Sequence, residues 1–175
     1  MACRKSNIFV VDTNVGVVAN GKSDMSQQCI EKCSRKLLEI MKGHCVAIDS
    51  NWLILKEYTS RLKSSGEPGI GDKFLKWILT NYTNPQKCSL VGITPTDSSR
   101  SDFMEVIDIE ALKDFDPNDK KFIATAIAHP KKPSIIEASD SKWIELRGKL
   151  VSFGVSIIFP CEDELEVVYA RKCHQ

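Results

Sequence analysis

The chain has 175 residues, 42% hydrophobic and 27% charged, with 24 Lys and Arg against 23 Asp and Glu. Such a length and balance suit one globular domain over residues 1–175, and they exclude a disordered or fibrous chain. The longest apolar runs fall far short of the roughly 20 residues that span a bilayer, and the formal net charge of +1 is silent on nucleic acid.

In chain order, residues 7–11 read as a buried strand, because Ile8-Phe9-Val10-Val11 is continuously apolar. The start of the chain runs straight into that strand, so no secretory signal is expected and the expected compartment is the cytoplasm. A loop through Asn20-Gly21-Lys22 precedes a helix from residue 23 or 26 to 42, whose apolar stripe is Ile30, Cys33, Leu37, Leu38 and Met41. Residues 45–48 form a second apolar strand, and Asp49 or Ser50 is placed to cap a helix over about 51–63. A helix follows over about 73–82, then a strand over 88–94, an irregular stretch, and a segment at 103–112 that fits helix or strand.

Asp116-Pro117-Asn118-Asp119 opens a helix with Pro at its favoured first position, ending near His129-Pro130. Residues 134–138 read as a strand, 141–149 as a helix and 152–159 as a final strand. A charged tail, 160–175, carries at most a short element at 164–169. Alternating strands and helices imply right-handed βαβ crossovers and a largely parallel α/β sheet with its core over about 7–159.

Seven cysteines are present, an odd number without a CxxC pair. Cys29 and Cys33 share a helix face, but no second ligand pair stands out. Reduced thiols are therefore expected rather than zinc or a disulfide.

Four acids fall at element ends or on an apolar helix: Asp12, Glu57, Asp119 and Asp140. In a parallel sheet the strand C-termini gather along one edge, where ligands bind. Carboxylates converging there make an oxygen-rich site for Mg²⁺ or Mn²⁺. Each acid also has a local explanation. Asp12 suits an Asx turn, Glu57 an i,i+4 pair with Arg61, Asp119 a capping box with Asp116, and Asp140 an N-cap. Only as a set do they point to a metal.

The segments Ile8-Phe9-Val10-Val11-Asp12-Thr13-Asn14, Ala47-Ile48-Asp49-Ser50 with Leu53 and Glu57, Asp116-Pro117-Asn118-Asp119, and Ile135-Ile136-Glu137-Ala138-Ser139-Asp140 resemble those of PIN domains, a family of metal-dependent nucleases. The resemblance runs over about residues 7–159. It departs at Ala138, where the family usually has Thr.

The resemblance implies a three-layer α/β/α fold and endonucleolytic hydrolysis of RNA with one or two Mg²⁺ or Mn²⁺ ions. It places Asp12, Glu57, Asp119 and Asp140 as catalytic metal ligands, with Thr13, Asn14, Asp116 and Ser139 supporting them. Lys22, Lys120 and Lys142 are candidates for holding the RNA backbone. Either a toxin with an antitoxin partner or an RNA-processing or defence nuclease is compatible with it, as is a homodimer, and a membrane is not expected. The alternative is a catalytically silent PIN-like module that binds RNA or protein. A haloacid-dehalogenase-type phosphatase is disfavoured, because Asn14 stands where that family has its second Asp.

Overall fold

The computed structural model describes residues 7–173. Its centre is a five-stranded, all-parallel sheet in the order β3-β2-β1-β4-β5. The strands are β1 (Ile8–Val11), β2 (Cys45–Asp49), β3 (Cys88–Val91), β4 (Ser134–Ile136) and β5 (Ile157–Ile158). Every residue of β1 and β2 is buried, as expected of parallel strands covered on both faces.

The chain steps from β1 outward to β2 and β3, then returns to the other side of β1 for β4 and β5. Because such crossovers are right-handed, reversing direction moves the connecting helices to the opposite face. The first two crossovers carry α1 (Thr13–Ala19), α2 (Gln27–Gly43), α3 (Leu53–Arg61) and α4 (Ile70–Asn81). The return carries α5 (Lys120–Ala128), which packs across β2, β1 and β4. The result is three layers, α/β/α. It also creates one topological switch point, between β1 and β4, and this is where such sheets place ligands.

Several elements depart from expectation for identifiable reasons. Helix α1 was not expected, because Val15, Gly16, Val17 and Val18 are weak helix formers. Packing overrides propensity: α1 and α4 cross so closely that a Cβ on Gly71 would lie 2.1 Å from the Gly16 carbonyl oxygen. The strand expected at 134–138 stops at Ile136, the helix expected at 141–149 is a 3₁₀ helix over Ser141–Leu146, and the strand expected at 152–159 shortens to Ile157–Ile158 after a 3₁₀ turn at Val151–Phe153.

The tail forms α6 (Glu162–Cys173), which buries Leu165. Glu164 accepts hydrogen bonds from the backbone N–H and the hydroxyl of Ser26, at 2.8 and 2.6 Å. The reduced-thiol expectation fails where Cys29 of α2 is disulfide-bonded to Cys161. The spacing of the two cysteines hid this pairing, since 132 positions separate them. No helix among the described residues is long and apolar enough to cross a membrane.

Candidate metal centre and adjoining cleft

Asp12 is the first residue beyond β1. Its N–H still continues the sheet, donating to the Ile136 carbonyl at 2.9 Å. Its side chain caps α1 by accepting from the Asn14 N–H at 2.8 Å. The cap uses Oδ1 alone, and Oδ2 is buried without a hydrogen-bond partner. The hydroxyl of neighbouring Thr13 is buried and unpartnered as well. The turn explanation for Asp12 is thus correct but incomplete.

Register places a fifth acid beside it. Val11 pairs with Ile136, so Asp12 and Glu137 extend neighbouring strands at the same level. Glu137 is fully buried. Its Oε1 accepts from the N–H groups of Ser139 and Asp140, at 2.8 and 2.6 Å, while Oε2 is buried and unpartnered. Two facing carboxylates have only acceptors, so neither orphaned oxygen can serve the other unless a proton or a cation lies between them. Burial, then the Glu137 charge, raises the Asp12 carboxyl well above the ordinary range. Glu137 is pushed up to about 7, again chiefly by burial, although the two N–H groups oppose this. Glu137 was not among the expected site residues. The signal for it was an acid ending an apolar run, just as Asp12 does, but the overlong strand placed it inside the sheet.

Asp119 directly precedes α5, and its carboxylate makes no capping hydrogen bond. The capping-box explanation therefore fails. Asp116 instead organises the turn, accepting from the Asn118 N–H through its side chain and from the Asp119 N–H through its carbonyl. Asp119 is pushed up to about 7 by burial and by the charges of Asp12, Asp116 and Asp140, with Lys121 opposing. Asp140 caps the 3₁₀ turn that follows it, accepting from the Lys142 N–H at 3.0 Å.

Glu57 reaches the same edge because the Tyr58 hydroxyl donates to the Val11 carbonyl at 2.5 Å, tying α3 to the end of β1. Its partner is Lys121 of α5, at 2.5 Å, rather than Arg61. The Lys121 ammonium also donates to the Asn118 carbonyl. One ligand candidate is thus already neutralised by protein.

The three lysines suggested for RNA separate. Lys120 is buried, with its ammonium 3.1 Å from Asp102, and does not present a surface charge. Lys22 is exposed but lies beyond the far end of α1 from Asp12. Lys142 is exposed and adjoins Asp140. Missed instead was a cleft of about 820 Å³ that adjoins the acids through Glu57, Asn118 and Lys121. Trp52, Lys56 and Arg100 also line it.

Comparison of the chain with protein-family models, with curated proteins and with solved structures returns no match. What the site can do follows from its donors. Among the described residues, only Cys29, Cys33 and Cys161 bring three potential ligand atoms within 4.8 Å of one another, and two of these sulfurs are bonded together. The carboxylates are more widely spread. That spread suits Mg²⁺, which keeps several waters and takes one or two protein carboxylates, better than a cation needing a full protein cage. The orphaned, buried oxygens of Asp12 and Glu137 fit a hard cation by their chemistry.

Proposed function

We propose that this chain is a PIN-like, metal-dependent ribonuclease that hydrolyses RNA phosphodiester bonds endonucleolytically in the cytoplasm. The observation that carries the reading is the pair of buried, unpartnered carboxylate oxygens on Asp12 and Glu137 at the β1/β4 switch point. An uncapped Asp119 stands close enough for its charge to sense Asp12 and Asp140. Buried like charges without partners are costly, and a divalent cation offsets that cost.

In this reading Asp12, Asp119, Asp140 and Glu137 hold Mg²⁺ or Mn²⁺. When bound, such an ion acidifies a water for attack and stabilises charge on the scissile phosphate. The chain's own residues do the rest. Asn14 fixes the Asp12 rotamer, and the N–H groups of Ser139 and Asp140 fix Glu137. Asp116 sets the turn that frees Asp119. Lys121 holds Glu57 at the cleft mouth.

The test is cleavage of a defined RNA panel with Mg²⁺, Mn²⁺ or EDTA. Cleavage is expected with metal and absent in EDTA, and full activity in the Asp12→Asn, Asp119→Asn double variant overturns the reading. A second reading, a silent RNA- or protein-binding module, is favoured by the Glu57–Lys121 ion pair, which occupies one ligand with protein. Intact RNA after long incubation with Mn²⁺, together with saturable binding, selects it. A toxin differs from a processing or defence nuclease in having an antitoxin partner, which an adjacent gene would reveal.

A further inference from the structure

Trp52 is 59% exposed and sits in the left-handed backbone region, at φ 68° and ψ 14°. A bulky side chain at positive φ is uncommon and strained, and such strain persists only where the surroundings impose it. Here they do. Both oxygens of Asp49 accept from α3, Oδ2 from the Leu53 N–H at 2.9 Å and Oδ1 from the Ile54 N–H at 2.8 Å. The Asn51 side chain donates to the Ile93 carbonyl at 2.7 Å. The turn between β2 and α3 is thus clamped on both sides of Trp52, and the indole is held out of the core.

It is held out into the cleft that also contains Glu57 and Lys121. Tyr82 lies against the indole, with ring centroids 5.0 Å apart and planes tilted by 40°. That contact supports the ring without burying it. Lys56 and Arg100 line the same cleft, are exposed, and form no ion pair among the described residues. An aromatic platform flanked by unpaired cations is the arrangement that tracks a single nucleic-acid strand, with bases stacked and phosphates neutralised.

We propose that Trp52 is a stacking platform for an unpaired nucleobase, with Lys56 and Arg100 receiving the adjoining backbone phosphates. The inference rests on the nucleic-acid reading of the carboxylate site and adds that the strand must be unpaired where it crosses this cleft. A base within a duplex has both faces covered and cannot stack on the indole.

The experiment is fluorescence anisotropy of an end-labelled oligouridylate with Ca²⁺, its integrity checked on a gel. The probes are the wild-type chain, Trp52→Ala and Trp52→Phe, all checked for folding by circular dichroism. Stacking predicts about 5-fold or greater weakening for Trp52→Ala and near wild-type binding for Trp52→Phe. The same strand annealed to its complement should lose the difference between wild type and Trp52→Ala. Equal binding by wild type and a folded Trp52→Ala overturns the platform while leaving the nuclease reading standing. Absence of any binding and any cleavage by the wild type overturns both. If Trp52→Ala instead loses a protein partner while oligouridylate binding is unchanged, the indole is a protein anchor and the platform is overturned.

Discussion

Asp12 and Glu137 end neighbouring parallel strands at the same level, joined across the backbone by the Asp12 N–H to Ile136 carbonyl bond. Each has one oxygen satisfied by local N–H groups and one buried oxygen with no partner. The backbone therefore imposes a proximity that the side chains, as two anions, resist. A cation or a shared proton resolves it, and the predictions below separate those outcomes.

Metal should stabilise the fold through this pair. A ligand that binds only the folded state adds about 2.7 kcal/mol when present at 100 times its dissociation constant. For a chain of this size that is roughly a 5–11 °C rise in melting temperature. Thermal melts with Mn²⁺ should show it for wild type and show little or none for Asp12→Asn or Glu137→Gln. An unchanged wild-type melting temperature across a Mn²⁺ titration counts against a metal at this site.

Without metal, stability should fall as pH rises between about 4 and 8. Asp119 and Glu137 are raised to about 7 and Asp12 is raised well above its ordinary value. In this window the folded state holds protons that the unfolded state has released, so raising the pH favours unfolding. Lowered groups act in the opposite sense: Asp72 only below its ordinary value of 3.8, outside this window, and His129, held down chiefly by burial, inside it, as one group against three. Melts in EDTA at pH 5 and pH 8 check the sign, and Asp119→Asn should reduce the difference.

Cleavage should depend on the acids in a graded order. Asp12→Asn and Asp119→Asn should each cost about 100-fold or more, as loss of preorganised charge at a reaction centre does. Asp140→Asn should cost less, since that carboxylate already caps a 3₁₀ turn, and Glu57→Gln least, since Lys121 already neutralises it. Initial rates on one labelled RNA at fixed Mn²⁺ give the ranking. A Glu57 variant weaker than the Asp12 variant would reverse the roles argued for them.

Much of this was legible in the chain because period and punctuation carry it. Continuous apolar runs marked β1 and β2, and Asp12 directly after the first marked where the sheet edge begins. The sheet order and register were not legible, because both depend on contacts between segments far apart in sequence. That is why Glu137 escaped notice, although it stands in plain view between Ile136 and Ala138. The same limit hid Lys121 as the partner of Glu57, where local spacing offered only Arg61. Lys120 looked like a surface cation because composition cannot see Asp102 beside it. Trp52 falls inside the helix expected over about 51–63, and nothing local marks it out, because the left-handed turn that ejects it is set by Asp49 and Asn51.

Reduction should loosen the attachment of the last helix. The Cys29–Cys161 bond closes a loop of 132 positions, and bonds closing loops of this size stabilise by about 2–4 kcal/mol, or roughly 4–16 °C for a chain of this length. Melts of the wild type and of Cys29→Ser, both without reductant, should differ by that amount. Cytosolic proteins rarely keep such bonds, so if the chain works in the cytoplasm the dithiol is its working form. Cys33 is then decisive, because its sulfur lies 3.8 Å from that of Cys161 while burial pushes its thiol up to about 12. It should remain a thiol rather than exchange into the bond. Peptide mapping of the oxidised protein should therefore recover Cys29 linked to Cys161, with Cys33 alkylated only after unfolding.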